Sequence, residues 1–303
     1  MTIKDKRIGV LMGGMSSERD ISLKSGKAVL SALQSKGFNA IGIDVDPDLP
    51  SRLRMEKIDI AWIALHGAYG EDGCVQGLLE IMQIPYTGSS VRACANSMDK
   101  IATKTILRNA PVTLISDQII KSGDNLDEIK LPAVVKDPIG GSSIGVWICH
   151  ERHELNEAVS QCGSEEILVE SFVSGEEITV AVLDGKALPA ISIRPKAEFF
   201  DLKAKYTKGM TEYIVPSPLP TPILENAQQQ ACAAYKSLEM SGIARADFIV
   251  PSSGTPQFLE INASPGMTST SLCPMAANCL GINFEELIVS ILETAKLNNI
   301  RMK

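Results

Sequence analysis

The chain opens as an alternation of short apolar runs and stretches with helical period. Residues 7–12 are apolar and are closed by Gly13-Gly14 and the polar Ser16-Ser17-Glu18. Ile21, Ser25, Ala28, Val29, Ala32 and Leu33 then recur at the spacing of a helix with one buried face. Residues 40–45 and 58–65 predict two more strands, and 75–82 a second helix. Strands and helices in alternation predict an open parallel sheet, an α/β Rossmann-like unit over residues 1–90. In such sheets ligands meet the loops at the carboxyl ends of strands, where 13–18 and 66–73 both fall.

Beyond Ser89 the texture changes. Residues 99–107 and 154–159 carry helical patterns, while 133–136 and 144–148 are short strands around a glycine-rich turn, an α+β unit over 91–172. A strand at 167–170 leads through 172–175 into another at 177–183, and the second boundary falls in that connection. The third unit, 173–303, holds a helix over 225–240, two strands flanking the turn-rich 251–256, and a last helix over 284–297. Residues 199–222 lack sustained patterning, and a connection that long predicts a functional lid.

Composition narrows the class without naming a function. With 303 residues, 45% hydrophobic and 21% charged, the chain is long enough for several cores and is neither disordered nor fibrous. No stretch approaches the roughly 18 consecutive apolar residues of a membrane span, and residues 1–6 are polar without a following apolar h-region of the kind a secretory signal carries. A cytoplasmic protein is expected. Seven scattered cysteines show no C-x-x-C pair and no nearby histidine at zinc spacing, so all are expected to be buried and reduced. A net charge of −7 offers no field for nucleic acid, although lysines and backbone amides can still hold a small anion.

The sharpest local chemistry is Arg245-x-Asp247 with Glu260-x-Asn262 across the turn at 251–256. Side chains two apart share a strand face, so a hairpin brings one cation and three oxygen ligands together. Such a hard, oxygen-rich set suits Mg²⁺, and a surface charge ladder is the plainer alternative. Gly140-Gly141-Ser142-Ser143-Ile144-Gly145 follows Lys136, a composition that lets backbone amides and a point charge meet phosphate, or that simply turns a hairpin. Lys100, at a helix start, is by itself as consistent with a solvated lysine. His66 ends a strand and either exchanges protons or satisfies the structure. His150 and His153 have no partner signature and are expected at the surface.

Taken in order, Gly13-Gly-Met-Ser-Ser-Glu-Arg19, His66-Gly-x-x-Gly-Glu-Asp-Gly73, Met98-Asp-Lys100, Gly141-Ser-Ser-x-Gly145, Ala204-Lys-Tyr206, Arg245-x-Asp247 and Glu260-Ile-Asn-Ala-Ser-Pro-Gly-Met-Thr268 resemble the motifs of D-alanine–D-alanine ligases of the ATP-grasp superfamily. The resemblance spans nearly the whole chain. It implies an ATP-grasp fold, ATP and two Mg²⁺ (or Mn²⁺) ions, D-alanine as substrate, peptidoglycan synthesis, and a homodimer. It implies that Lys100, Lys136 and the loop with Gly141 and Ser143 hold phosphates, that Glu170, Phe172 and Glu177 border adenine and ribose, and that Asp247, Glu260 and Asn262 hold metal. Glu18 would take the first ammonium beside His66, and Arg245 with the Gly266 N–H would form an oxyanion hole. Ser271 and Lys205 would receive the second carboxylate, and Ser142 and Tyr206 would join Glu18 in a hydrogen-bonded set.

Three positions depart from the family pattern: Phe172 where tryptophan is usual, Thr270 where many members have histidine, and Asp137 where proline is usual. The rival readings are a depsipeptide-forming relative using D-lactate and a non-catalytic nucleotide-binding protein on the same fold. Ala204-Lys205-Tyr206 resembles the dipeptide-forming type, and the retained Arg245 and metal ligands argue against loss of catalysis.

Overall fold

In the computed structural model, which describes residues 2–139, 145–195 and 211–298, the chain builds three sheets in succession. In the first, β1 (Arg7–Gly13) lies between β2 (Asn39–Val45) and β3 (Ile60–Ile63) and runs parallel to both. Six of the seven β1 residues are buried because both faces are covered. On one side Ile8, Val10 and Met12 meet Val29 and Leu33 of α1 (Arg19–Ser35) and Leu287, Ile288 and Ile291 of α9 (Phe284–Leu292). On the other, Leu11 meets Leu53 of α2 (Leu49–Met55) and Leu79 of α3 (Cys74–Met82). Gly26 lets α1 lie this close, since a Cβ there would stand 2.4 Å from Met12 Cβ.

Two short helices, α4 (Val91–Met98) and α5 (Lys100–Leu107), lead into an antiparallel sheet in the order β4 (Asp117–Lys121), β7 (Glu166–Ser171), β5 (Ala133–Lys136), β6 (Val146–Cys149). Leu155, Ala158 and Val159 of α6 (Arg152–Gln161) cover one face of it. The third sheet runs β11 (Thr211–Ile214), β10 (Ile191–Pro195), β8 (Glu176–Leu183), β12 (Ile243–Val250), β13 (Gln257–Asn262), with β9 (Lys186–Ala187) paired to β8. Ala227, Ala231 and Ala234 of α7 (Thr221–Ser237), all fully buried, present a small-residue stripe that seats this helix on the sheet. Beneath it Phe248 and Phe258 meet edge-on at 5.8 Å, an arrangement contributing about 0.5–1.5 kcal/mol beyond area burial. The last connection carries α8 (Leu272–Asn278).

Several expectations change. The helices α2, α4 and α8 and the strand β4 have no counterpart in the sequence reading, and the last helix stops at Leu292 rather than 297. The stretch at 199–222 is not one irregular loop, because Thr211–Ile214 pairs with Ile191–Pro195 and the helix begins at Thr221. Of the stretch expected to form a lid, residues 199–210 lie outside the described residues. Cys94, Cys149, Cys162 and Cys273 are buried thiols, but Cys74 and Cys279 are exposed and Cys232 is half-buried. His150 and His153 are exposed, with the His150 ring 5.8 Å from that of Phe172. Among the described residues no helix is long and apolar enough to cross a membrane.

Candidate functional site

The hairpin predicted from spacing forms with the pairs in register. Arg245 lies opposite Asn262 and Asp247 opposite Glu260, before a bulge that shifts the next pair to Phe248 and Phe258. Asp247 is the hub. Its Oδ1 accepts from Thr179 Oγ1 at 2.5 Å and Arg245 Nε at 3.0 Å, and its Oδ2 from Arg245 Nη2 at 2.9 Å and Asn262 Nδ2 at 3.3 Å. Burial works against the Arg245 charge, but the Asp247 carboxylate more than offsets it and holds the guanidinium protonated far above any working pH. Two of its five N–H groups are committed to Asp247.

Among the described residues no three His, Cys, Asp or Glu side chains converge as a ready-made metal cage. The donors that do face one another, Asp247, Glu260 and the Asn262 amide, are two carboxylates and a neutral oxygen on adjacent strands. That set fits a hard cation completing its shell with water and phosphate rather than an all-protein site.

The opposite wall comes from the first sheet. Glu18 stands at the start of α1, where the Ser16 hydroxyl accepts from the Glu18 N–H at 3.2 Å and donates to His66 O at 2.7 Å. Gly67 has φ +69°, and a Cβ on it would lie 2.7 Å from Glu18 Oε2, so only glycine suits both its backbone and this approach. His66 is buried, with Nε2 3.1 Å from Ser25 Oγ; burial lowers its pKa, so the ring is neutral at pH 7. Ser25 Oγ also accepts from the Met267 N–H at 3.2 Å, and Ser264 Oγ donates to Leu65 O at 3.0 Å. These two bonds dock the loop after β13 onto the first sheet and bring Gly266 to the site. Ser271 N-caps α8 and accepts from the Thr268 N–H at 3.0 Å, with Gly266 beside it.

The third group is cationic. Lys100, at the first position of α5, donates to Asp137 O at 3.2 Å. Burial lowers its pKa, as does Lys136, while the Glu260 charge raises it, so this ammonium lies within the electrostatic reach of both β5 and the hairpin. Lys136, at the end of β5, places Nζ 2.5 Å from Glu170 Oε2 on β7. Phe172 follows β7, half-buried, and its N–H donates to Pro132 O at 3.1 Å. Glu177 sits on β8 opposite Ile193 and Ile249.

Thus the structure brings Arg245, Asp247, Glu260 and Asn262 together, sets Glu18 beside Gly67 and His66, and joins Lys136 to Glu170. Gly141, Ser142, Ser143, Lys205 and Tyr206 lie outside the described residues. Two acidic and basic groups escaped the sequence reading. Glu71 Oε2 accepts from the Gly67 N–H at 2.7 Å; burial pushes its carboxyl up to about 8, against the pull of that bond and with the help of the Glu18 charge. It sits inside the His66 to Gly73 motif, which was the available signal. Lys104, one turn beyond Lys100, is buried at 3% exposure against Glu170, and nothing in a lone helical lysine announces this.

Comparison with known proteins agrees with this arrangement. A family model described as "D-ala D-ala ligase C-terminus" matches residues 106–293, and one described as "D-ala D-ala ligase N-terminus" matches 49–89. The D-alanine--D-alanine ligase of Citrifermentans bemidjiense is 47% identical over 298 residues, 97% of this chain and 98% of that protein. The crystal structure of D-alanine--D-alanine ligase from Bacillus anthracis superposes with a TM-score of 0.85 at 38% identity, covering 95% of this chain and 97% of that one. The same enzyme complexed with ATP gives 0.83 at 36% identity, with the same coverage. Matched over both family models and nearly its full length, the chain is an ATP-grasp protein and belongs to the D-alanine–D-alanine ligase family.

Proposed function

We propose that this chain joins two D-alanines at the expense of ATP, through an acyl phosphate, to give the dipeptide used in peptidoglycan synthesis. The observation that carries the reading is the hairpin, which sets Arg245 opposite Asn262 and Asp247 opposite Glu260, so a guanidinium and the donors suited to a divalent ion stand together.

In this reading Lys100, Lys136 and the loop carrying Gly141 and Ser143 position the ATP phosphates, and Glu170, Phe172 and Glu177 border its adenine and ribose. Asp247, Glu260 and Asn262 would hold two Mg²⁺ or Mn²⁺ ions, which when bound neutralise charge on the transferred phosphoryl group. Glu18 holds the ammonium of the first D-alanine. Neutral His66, fixed by Ser25, sits beside that subsite and keeps a second positive charge away from it. The carboxylate of the first D-alanine takes the γ-phosphoryl group and ADP leaves.

The amine of the second D-alanine, its carboxylate received by Ser271 and Lys205, then attacks the carbonyl carbon. Negative charge develops on the carbonyl oxygen only at this stage, where Arg245 and the Gly266 N–H would stabilise it. Collapse expels inorganic phosphate and leaves the peptide bond. Ser142 and Tyr206, in this reading, would bond with Glu18 and so help keep water from the acyl phosphate.

The division into units 1–90, 91–172 and 173–303 is consistent with one sheet in each. The protein works as a cytoplasmic homodimer in this account. The testing assay follows phosphate release with ATP, Mg²⁺ and either D-alanine, L-alanine or D-lactate. Release with D-alanine alone supports the reading; preference for D-lactate with D-alanine favours a depsipeptide, and no release with any acceptor contradicts catalysis.

A further inference from the structure

Five charged side chains form a continuous chain through the interior between α5 and the four-stranded sheet. Arg108 Nη2 donates to Asp117 Oδ2 at 2.7 Å, and Asp117 Oδ1 lies 3.4 Å from Lys104 Nζ. Lys104 Nζ also donates to Ile115 O at 2.8 Å and stands 2.5 Å from Glu170 Oε1. The other Glu170 oxygen is 2.5 Å from Lys136 Nζ. Arg108 reaches solvent, at 50% exposure, and Lys136 is 11% exposed; the side chains of Lys104, Asp117 and Glu170 are 2–3% exposed. The register explains the convergence, since Asp117 and Glu170 are direct cross-strand partners on β4 and β7. Lys104 reaches both from the helix that also carries Lys100, four residues earlier on the same face.

A buried lysine ammonium has three donors; Lys104 donates to Ile115 O and Asp117 Oδ1, and its charge pairs with Glu170 Oε1. Glu170 thereby has two counter-ions rather than one. Burial opposes its charge, but Lys136 and Lys104 together hold its carboxyl below the usual carboxylate range. If Lys136 serves the nucleotide phosphates, it must give up at least part of its contact with Glu170 when nucleotide arrives. A carboxylate with no other cation would then either keep Lys136 or be left buried and unpaired, and both outcomes weaken binding.

We propose that Lys104 is a positioning residue for nucleotide binding: it anchors Glu170 while Lys136 transfers from that carboxylate to phosphate. Lys104 touches no reacting atom. Its effect therefore falls on the affinity for nucleotide and on KM for ATP, with turnover at saturating ATP and KM for D-alanine much less affected. This rests on the reading of Lys136 and Glu170 as nucleotide contacts, and the variants separate the two ideas.

The test measures binding of a non-hydrolysable ATP analogue with Mg²⁺ by calorimetry, beside steady-state kinetics, for Lys104→Met, Lys104→Arg and Lys136→Met. Lys104→Met is expected to weaken analogue binding about 10-fold or more, the scale of a lost charge-assisted hydrogen bond, and Lys104→Arg to recover most of it. Lys136→Met tests the underlying reading, and wild-type affinity there overturns the nucleotide role itself. Weakened binding in Lys136→Met with wild-type affinity in Lys104→Met overturns the positioning role alone. A fall in turnover and in D-alanine affinity equal to the loss of nucleotide affinity, unrelieved by arginine, also overturns it in favour of a general structural role. Should Lys104→Met not fold, the double variant Lys104→Met with Glu170→Gln removes both buried charges. It is expected to fold and to bind the analogue weakly, and wild-type binding by it contradicts the proposal.

Discussion

Replacing Glu71 with glutamine isolates the cost of keeping a half-buried carboxyl within reach of the Glu18 charge. The change preserves shape and leaves an oxygen to accept from the Gly67 N–H, now at 2.7 Å from Glu71 Oε2, so a simple packing defect is not expected. In the folded protein burial raises this carboxyl to about 8, against 4.5 for the free side chain. The native state therefore holds one more proton than the unfolded state between those values, and stability falls as pH rises across the window. Each pH unit in that window costs about 1.4 kcal/mol, so the full span sets an upper bound of about 5 kcal/mol. Water reaching this half-buried group reduces the effect, and about 1–2 kcal/mol is the expected difference. His66 contributes with the opposite sign, losing stability as pH falls through its lowered pKa, and does so equally in both proteins. Urea unfolding of ligand-free wild type and Glu71→Gln at about pH 5.5 and about pH 8.5 reads this directly. The wild type should lose stability between the two conditions by more than the variant does. Parallel changes in the two proteins would refute the reasoning.

Arg245→Lys keeps the charge but loses the two-pronged bond to Asp247, and turnover should fall roughly 10²-fold with binding of ATP nearly kept, as read by kinetics and calorimetry. Glu260→Gln should abolish turnover by weakening divalent-ion binding, and unchanged phosphate release at saturating Mg²⁺ would rule out this ligand. Gly67→Ala forces a Cβ into left-handed backbone at φ +69° and against Glu18 Oε2; it should cost about 1–3 kcal/mol in thermal unfolding and raise KM for D-alanine.

The parts of the fold legible in the sequence are those whose burial is periodic and local. β1 and α1 declare themselves because one has no polar side chain after Arg7 and the other repeats its buried residues every three to four positions. The hairpin pairs were legible because period two is a property of any strand, and register needed only a short turn. By contrast α2 has Pro50 at its start and only Leu49 and Leu53 buried, too few for a pattern. β4 shows one buried residue in five and is recognisable as a strand only through its partner β7. Lys104 illustrates the same limit at the site, because its burial depends on Glu170, 66 positions away on a strand that nothing near Lys104 foreshadows. The charge neighbourhood of Glu71 likewise depends on Glu18, contributed by a different loop.

The acyl phosphate is the central claim, and the fate of one oxygen atom tests it most directly. D-alanine carrying ¹⁸O in its carboxylate is incubated with ATP, Mg²⁺ and the protein, and the released inorganic phosphate is analysed by mass spectrometry. Phosphorylation of the carboxylate followed by attack of the second amine leaves the bridging oxygen on phosphate, so each phosphate released should carry one ¹⁸O with D-alanyl-D-alanine formed in equal amount. Unlabelled phosphate would mean that ATP is cleaved by water, and would contradict the account.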